Sequence, residues 1–396
     1  MERAVQRVVS TEKIPILLWL DQLDEEAMDQ ARHLANLDCA FHHVAIMADA
    51  HVGYGMPIGG VLATVGAIIP NGVGVDIGCG MQAVRTGLQE VTSAQLRAIL
   101  GDLRRSVPVG FQHHSRPQPQ AIMPDPGAAG REQELPVVRE EFASARCQLG
   151  TLGGGNHFIE IQQGSDNRIW LMVHSGSRNL GYKVAGVYNR LAVQLARKAG
   201  RGTIPKEWQL AVLPLDSIEG QRYLREMTYC VAFARANRGR MMAVLTGIVA
   251  EVTGCDQFDP AMDVAHNYAA REHHFGREVW VHRKGATRAF AGEPGIIPGS
   301  QGSQSYIVRG LGNEQSFRSC SHGAVRVLGR KEAQRVLDLE TEVRRLDARH
   351  ILHALRGRRD LEEAPGAYKD IATVIANQQD LVEVVVELQP LAVLKG

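Results

Sequence analysis

The sequence is short of nearly everything that would classify it at once. Aromatic residues make up only 5% of it, which beside its many glycines suggests a loop-rich α/β protein whose backbone approaches ligands closely. Lys and Arg number 44 against 43 Asp and Glu, a net charge of +1. No global basic field announces nucleic acid, and any anionic partner must be met by local clusters. No uninterrupted apolar run approaches the roughly 20 residues of a membrane span. The charged start Met1-Glu2-Arg3 leads into no apolar stretch of the secretory type. The six cysteines, Cys39, Cys79, Cys147, Cys230, Cys255 and Cys320, form no C-x-x-C pair. That fits reduced thiols in a cytoplasmic protein. There is also no Walker A sequence, no low-complexity tract and no internal repeat.

Glycine is plentiful, with 41 residues, and 44% hydrophobic with 22% charged residues is ordinary for a soluble globular chain. Apolar runs of strand length alternate with stretches of helical period, which predicts an α/β fold. Strands are expected at 14–20, 41–47, 61–69, 81–86, 278–282 and 381–388, with a hairpin formed by 157–161 and 169–174. Helices are expected at 21–37, at 93–105 with Ser93 as cap, at 186–199, at 222–253 with a polar break at 238–240, and at 330–345. Residues 108–136, rich in Pro, Gly, Gln and His, read as a long mobile loop. Residues 205–255 read as a helical insertion within one domain spanning 1–396.

Residues with chemical potential cluster in the Gly-rich loops. Asp76 and Cys79 sit three apart among four glycines; carboxylate oxygen and thiolate both bind metals. The same stretch also reads as a tight turn with one packed thiol. Asp49 and His51 are expected exposed in a polar loop at a strand end. His157, His174, His266 and His322 each lie beside a polar or small-residue loop. Asp76, Cys79, His157, His174 and His266 suit a borderline divalent ion such as Mn²⁺ or Zn²⁺. Their spacing excludes a zinc finger, so only folding could assemble such a site. His113 and His114 read more readily as solvated loop residues than as ligands. Arg235, Arg238 and Arg240 form a basic cluster or a solvated helix face. Residues 283–288 form a basic loop suited to phosphate, and residues 295–305 a rigid Gly/Ser/Pro loop rich in backbone donors.

In order along the chain, Asp49-Ala50-His51, Val75-Asp76-Ile77-Gly78-Cys79-Gly80, Gly155-Asn156-His157-Phe158-Ile159-Glu160, His174-Ser175-Gly176-Ser177-Arg178, His266-Asn267-Tyr268, Arg283-Lys284-Gly285, Pro298-Gly299-Ser300 and Ser321-His322-Gly323-Ala324 resemble the successive motifs of the RtcB family. That family comprises GTP- and manganese-dependent RNA ligases. The resemblance runs from about residue 14 to Lys395-Gly396. It implies a single α/β catalytic domain with mixed β-sheets, inserted helices and a buried dinuclear metal site.

The resemblance further implies that Asp76, Cys79, His157, His174 and His266 hold two Mn²⁺ with Cys79 bridging. His322 becomes the nucleophile that takes GMP from GTP. Asn156, Phe158, Glu160, Asn267, Pro298, Gly299, Ser300, Gln301, Ser305, Gly323, Ala324, Val325, Tyr368 and Lys395 surround the guanylate. Asp49 stays near the metals or the nucleotide, and Arg178 and Arg326 meet RNA phosphates; His282 is left out of the metal set. The implied activity joins RNA 3′-phosphate or 2′,3′-cyclic phosphate ends to 5′-hydroxyl ends, in RNA repair or tRNA splicing, by a monomer away from membranes. The alternatives are a metal-dependent RNA cyclic phosphodiesterase or phosphatase, and an RNA-binding relative that does not ligate. One position departs from the family's His-Gly-Ala-Gly-Arg: Val325 replaces the second Gly. If that position needs φ > 0, a β-branched residue is strained by roughly 1–3 kcal/mol; if it needs room, Val325 narrows the pocket.

Overall fold

A computed structural model describes residues 5–129, 135–198 and 204–396. Among the described residues two large sheets carry the architecture. The six-stranded one runs in the order Arg7–Val9, Ile16–Leu18, Ala40–His51, Ile58–Thr64, Arg277–Lys284, Asn267–His274. It is mixed, because Ile16–Leu18 pairs parallel with Ala40–His51 while its other pairings are antiparallel. The seven-stranded one runs Met262–Ala265, Gly80–Arg85, Ile169–Ser175, Phe158–Gly164, Val382–Lys395, Ser305–Gly310, Pro294–Ile297 and is antiparallel throughout. Two-stranded ribbons join Ala286–Arg288 to Ser319–Ser321 and Ala67–Ile68 to Leu213–Pro214.

Both faces of the seven-stranded sheet are covered, and alternation along its strands sorts the side chains. Leu171 and Val173 pack with Ile99, Leu103, Met241 and Leu245 under the helices Ser93–Ser106 and Ile218–Thr253. Trp170 and Met172 point the other way, into a cluster with Leu346, Ile351 and Leu361. The period of two then puts His174 on the second face.

Several elements differ from expectation for local reasons. The helix start near residue 93 is capped by Thr92, not Ser93: Thr92 Oγ1 accepts the Gln95 N–H, and Gln95 Oε1 accepts the Thr92 N–H. The helix Ile218–Thr253 runs unbroken through 238–240, with Arg238 turned inward to the part-buried carboxylate of Asp263 instead of outward to water. The helix expected at 330–345 is two, Arg330–Val336 and Leu339–Asp347, with the Asp338 side chain capping the second. The last strand is one long element, Val382–Lys395, that crosses a bulge between Pro390 and Ala392. Of the loop expected at 108–136, residues 120–122 and 126–129 form short helical turns, and the backbone N–H groups of His114 and Gln118 donate to Cys147 O and Arg146 O; residues 130–134 lie outside the described residues. Among the described residues no helix is long and apolar enough to cross a membrane.

Candidate metal and nucleotide site

The candidate ligands come from strand ends and from joints between the sheets. Asp76 and Cys79 occupy the loop that leads into Gly80–Arg85. A Cβ on Gly78, where φ is +75°, would fall 2.8 Å from Val231 Cα. Only glycine lets this loop lie against the long helix. His157 immediately precedes Phe158–Gly164, and His174 pairs with Phe158 on one side and Met81 on the other. His266 stands between Met262–Ala265 of the seven-stranded sheet and Asn267–His274 of the six-stranded one. Its N–H donates to Cys79 O at 2.8 Å.

These five side chains converge in two groups that share one sulfur. Asp76, Cys79 and His157 each place a donor atom within 4.8 Å of the others, and so do Cys79, His174 and His266. Cys79 Sγ lies 3.5 Å from His157 Nε2 and 3.3 Å from His174 Nε2. His157 Nδ1 donates to Leu152 O at 3.0 Å, and His174 Nδ1 to Asn156 O at 3.1 Å. In the neutral ring this leaves a lone pair at each Nε2. His157 Nε2 then faces Asp76 Oδ2 at 3.1 Å. Nitrogen, carboxylate and sulfur are all acceptors turned to one space, which fits a cation. His266 adds a buried Nδ1 with no hydrogen-bond partner among the described residues.

The electrostatics agree. Burial, then the neighbouring imidazoles, hold His174 and His266 well below the usual histidine value, so both are neutral. Burial would raise the Asp76 carboxyl, and a proton on His157 Nε2 would bring it below the usual range; a cation in the same place would do so while leaving Nε2 its lone pair. Burial and then Asp76 push the Cys79 thiol well up; a coordinated cation reverses that sign and yields the thiolate.

A second layer holds the ligand-bearing loops. Arg238, fully buried, donates Nη1 to Gly78 O and Ser175 O at 2.9 Å each, and its fork grips Asp263 at 2.7 and 2.9 Å. Asn237 accepts the N–H groups of Gly150 and Thr151 and donates to Thr151 O, Ser175 Oγ and Gly176 O. The basic cluster expected on a solvated face is therefore, at Arg238, a buried brace. Gly176 has its own reason: a Cβ there would meet Asp76 Oδ1 at 2.1 Å.

His322 lies just beyond Ser319–Ser321, and its ring packs 4.8 Å from that of His266. Its Nδ1 donates to Asp49 Oδ2 at 2.7 Å, an oxygen that also accepts the N–H of His322 at 2.9 Å and of Gly323 at 3.2 Å. Nε2 is left free. Asp49 is not exposed in a loop as expected; it lies inside Ala40–His51 and is fully buried. Burial would raise its carboxyl, but the opposing charge and hydrogen bonds of His322 hold it below the usual value.

Two adjoining cavities meet at His322. The larger, about 470 Å³, is lined by Asp76, Cys79, His157, His266, Asn267, Val325, Arg178 and Arg326. The smaller is lined by Asn156, Phe158, Glu160, Pro298, Gly299, Ser300, Gln301, Gly323, Ala324, Tyr368 and Lys395, with His174. Three residues implied at the guanylate thus stand apart from this recess. Asn267 walls the larger cavity, donating to Asp76 O and accepting the Gly285 N–H. Ser305 sits behind, where its Oγ accepts from Gly299 N and Gln162 Nε2 and braces the loop. Val325 lines the larger cavity and does not have positive φ, so backbone strain is excluded there and its bulk alone remains. Arg178 has φ +56° and donates to Thr151 Oγ1 and Gly110 O. Arg326 is paired with Glu363 at 2.9 Å.

Sequence reasoning passed over Glu363 as well as Asn237, and gave His51, Arg283 and Lys284 to polar or basic loops. Glu363 accepts from Lys395 at 2.7 Å, from the Tyr368 hydroxyl and from Arg326. His51, expected with Asp49 in an exposed loop, instead ends the strand Ala40–His51 and lines the larger cavity, its buried Nδ1 without a partner among the described residues. The basic loop expected at 283–288 is in fact largely strand. Arg283 is buried against Glu272. Lys284 lines the cavity and donates to Tyr54 O and Asn71 O, with burial lowering its ammonium to about 7.

The sequence model of the family described as tRNA-splicing ligase RtcB matches residues 30–396. The RNA-splicing ligase RtcB of Escherichia coli (strain K12) is 36% identical over 98% of this chain and 99% of its own length. The tRNA-splicing ligase RtcB of Thermococcus kodakarensis is 33% identical over 95% of this chain and 93% of its own length. Over nearly its whole length, then, this chain belongs to the RtcB family.

Proposed function

We propose that the chain is an RNA ligase that joins a 3′-phosphate or 2′,3′-cyclic phosphate end to a 5′-hydroxyl end, with His322 carrying GMP from GTP to the RNA. The observation that carries this reading is the position of His322 on the wall shared by the two cavities. RNA as substrate follows the names of the relatives, RNA-splicing and tRNA-splicing ligase. Asp76, Cys79 and His157 would hold one Mn²⁺, and Cys79, His174 and His266 a second. When bound, these ions supply neutralisation of phosphate charge.

The chain's own residues do the rest. Asp49 holds the proton at His322 Nδ1, so Nε2 keeps its lone pair for the α-phosphate of GTP; pyrophosphate leaves and a phosphoramidate remains. The Asp49 carboxylate also offsets the positive charge that builds on the ring. Glu160, Ser300, Gln301 and Lys395 offer polar groups to the guanylate, over the ring of Phe158. Arg178 and Arg326 offer guanidinium groups to RNA phosphate. The RNA 3′-phosphate then attacks the GMP phosphorus and His322 leaves. The 5′-hydroxyl attacks that activated end and GMP departs. A cyclic phosphate must first be opened by water. We take the enzyme to be cytoplasmic and monomeric.

Incubation with Mn²⁺ and α-labelled GTP tests the reading. Acid-labile label is expected on the wild type and absent from His322→Ala and Cys79→Ala. An unlabelled wild type, or a labelled His322→Ala, rejects it. A wild type that opens cyclic phosphates without taking label is instead a phosphodiesterase.

A further inference from the structure

In a chain with few aromatics to spare, an exposed Tyr182 lines the larger cavity, and an exposed Phe111 follows Gly110, which is bonded to Gly153 and Arg178 beside that cavity. We propose that Phe111 and Tyr182 are stacking platforms for bases of the single-stranded RNA segment beside the end held at Arg178. The proposal rests on the RNA reading above and adds where the strand lies and which form of it is accepted.

Phe111 is fully exposed, yet its backbone is fixed. The Gly110 N–H donates to Gly153 O at 2.8 Å, Gly110 O accepts from Arg178 Nη2 at 3.3 Å, and the Gln112 N–H donates to Val109 O at 3.1 Å. Gly154, next to Gly153, lines the cavity. Phe111 therefore follows directly on a residue held against the cavity wall. Tyr182 follows Arg178 by four residues in the helix Arg178–Lys198, so the two share a face one turn apart. Both line the cavity, and Tyr182 is 60% exposed.

A single exposed aromatic is unremarkable. Here Tyr182 lines the same cavity as Arg178, one turn on in the helix, and Phe111 follows Gly110, whose carbonyl Arg178 holds; among the described residues neither Arg178 nor Arg330, also on the cavity wall, has a carboxylate ion pair. Guanidinium groups for phosphates with ring faces beside them are the means by which unpaired nucleotides are held. A duplex, whose bases are already stacked on one another, cannot use these rings.

The test uses the full chain and a short RNA with a 3′-phosphate and 2-aminopurine near that end. Phe111→Ala and Tyr182→Ala are each expected to weaken binding about tenfold and to relieve the quenching of 2-aminopurine. Tyr182→Phe, which keeps the ring face, should bind within about twofold of wild type. Phe111→Leu, apolar but without a ring, should lose as much as Phe111→Ala. Alanine variants that bind as tightly as wild type overturn the proposal, and so does a Tyr182→Phe that loses as much as Tyr182→Ala. GMP labelling read in parallel separates the two levels. A wild type that takes label and joins RNA while the variants bind normally sinks the platforms alone; a wild type that neither binds nor joins RNA sinks the ligase reading with them.

Discussion

Glu160 sits where a charge is hardest to keep. Burial raises its carboxyl to about 8, against the pull of Lys395 and a hydrogen bond from Gln162. A carboxyl whose folded value exceeds its unfolded one stabilises the fold while protonated. Its contribution is full below the ordinary value of 4.5 and is lost as pH rises towards about 8. Without nucleotide, the melting temperature of the wild type is expected to fall across that window relative to Glu160→Gln, which cannot ionise. Two parallel pH profiles would show that the group is held ionised after all. Val325 is a simpler case at this scale. Its identity raised two alternatives, strain or crowding; its φ, which no local pattern reports, removed the first.

At the level of elements, the long helix Ile218–Thr253 does more than cover a sheet. From its middle, Asn237 and Arg238 bind the backbone of the loops that carry Asp76–Cys79 and His174–Gly176, and Asp263 three residues before His266. Arg238→Met should be destabilised by up to about 3 kcal/mol, because the largely buried Asp263 loses its partner while keeping some contact with water. Arg238→Met with Asp263→Leu removes both charges and is expected to recover most of that stability. The same double variant should still bind Mn²⁺ some 10- to 100-fold more weakly, since the ligand loops have lost their brace. Calorimetric Mn²⁺ titration decides: wild-type affinity in a stable double variant would make Arg238 a folding residue only. Periodicity pointed to the helix but not to the inward turn of its arginine, because a charged residue at a helical position reads as solvated unless its distant partner is known.

For the molecule as a whole, the site is a seam. Cys79 lies on a loop of the seven-stranded sheet, and His266 links that sheet to the six-stranded one. An ion held by both ties the sheets together. At 100 times the dissociation constant, each Mn²⁺ site should add about 2.7 kcal/mol to stability. Amide exchange should slow together in Gly80–Arg85 and in Asn267–His274 when Mn²⁺ replaces a chelator, and Cys79→Ser should abolish the joint effect. Slowing confined to one sheet would place the ions elsewhere.

The sequence alone determined the class of the fold, about half of the strands, several of the longer helices and the residue types capable of metal and phosphate chemistry, but not the strands Asn267–His274, Pro294–Ile297 and Ser305–Gly310 or the helix Pro136–Gln148. What it did determine depends on local period, on glycine and on motif order, all of which are written along the chain. Tertiary structure decided that Asp49 is a buried partner of His322 and not an exposed loop carboxylate. It also made Arg238 a brace, joined Glu363 to Lys395, Tyr368 and Arg326, and split the candidate residues between two cavities. Those outcomes depend on strand order and register between segments far apart in the chain. A register shift of one residue reverses which side chains face the site, and only the packed sheets select it.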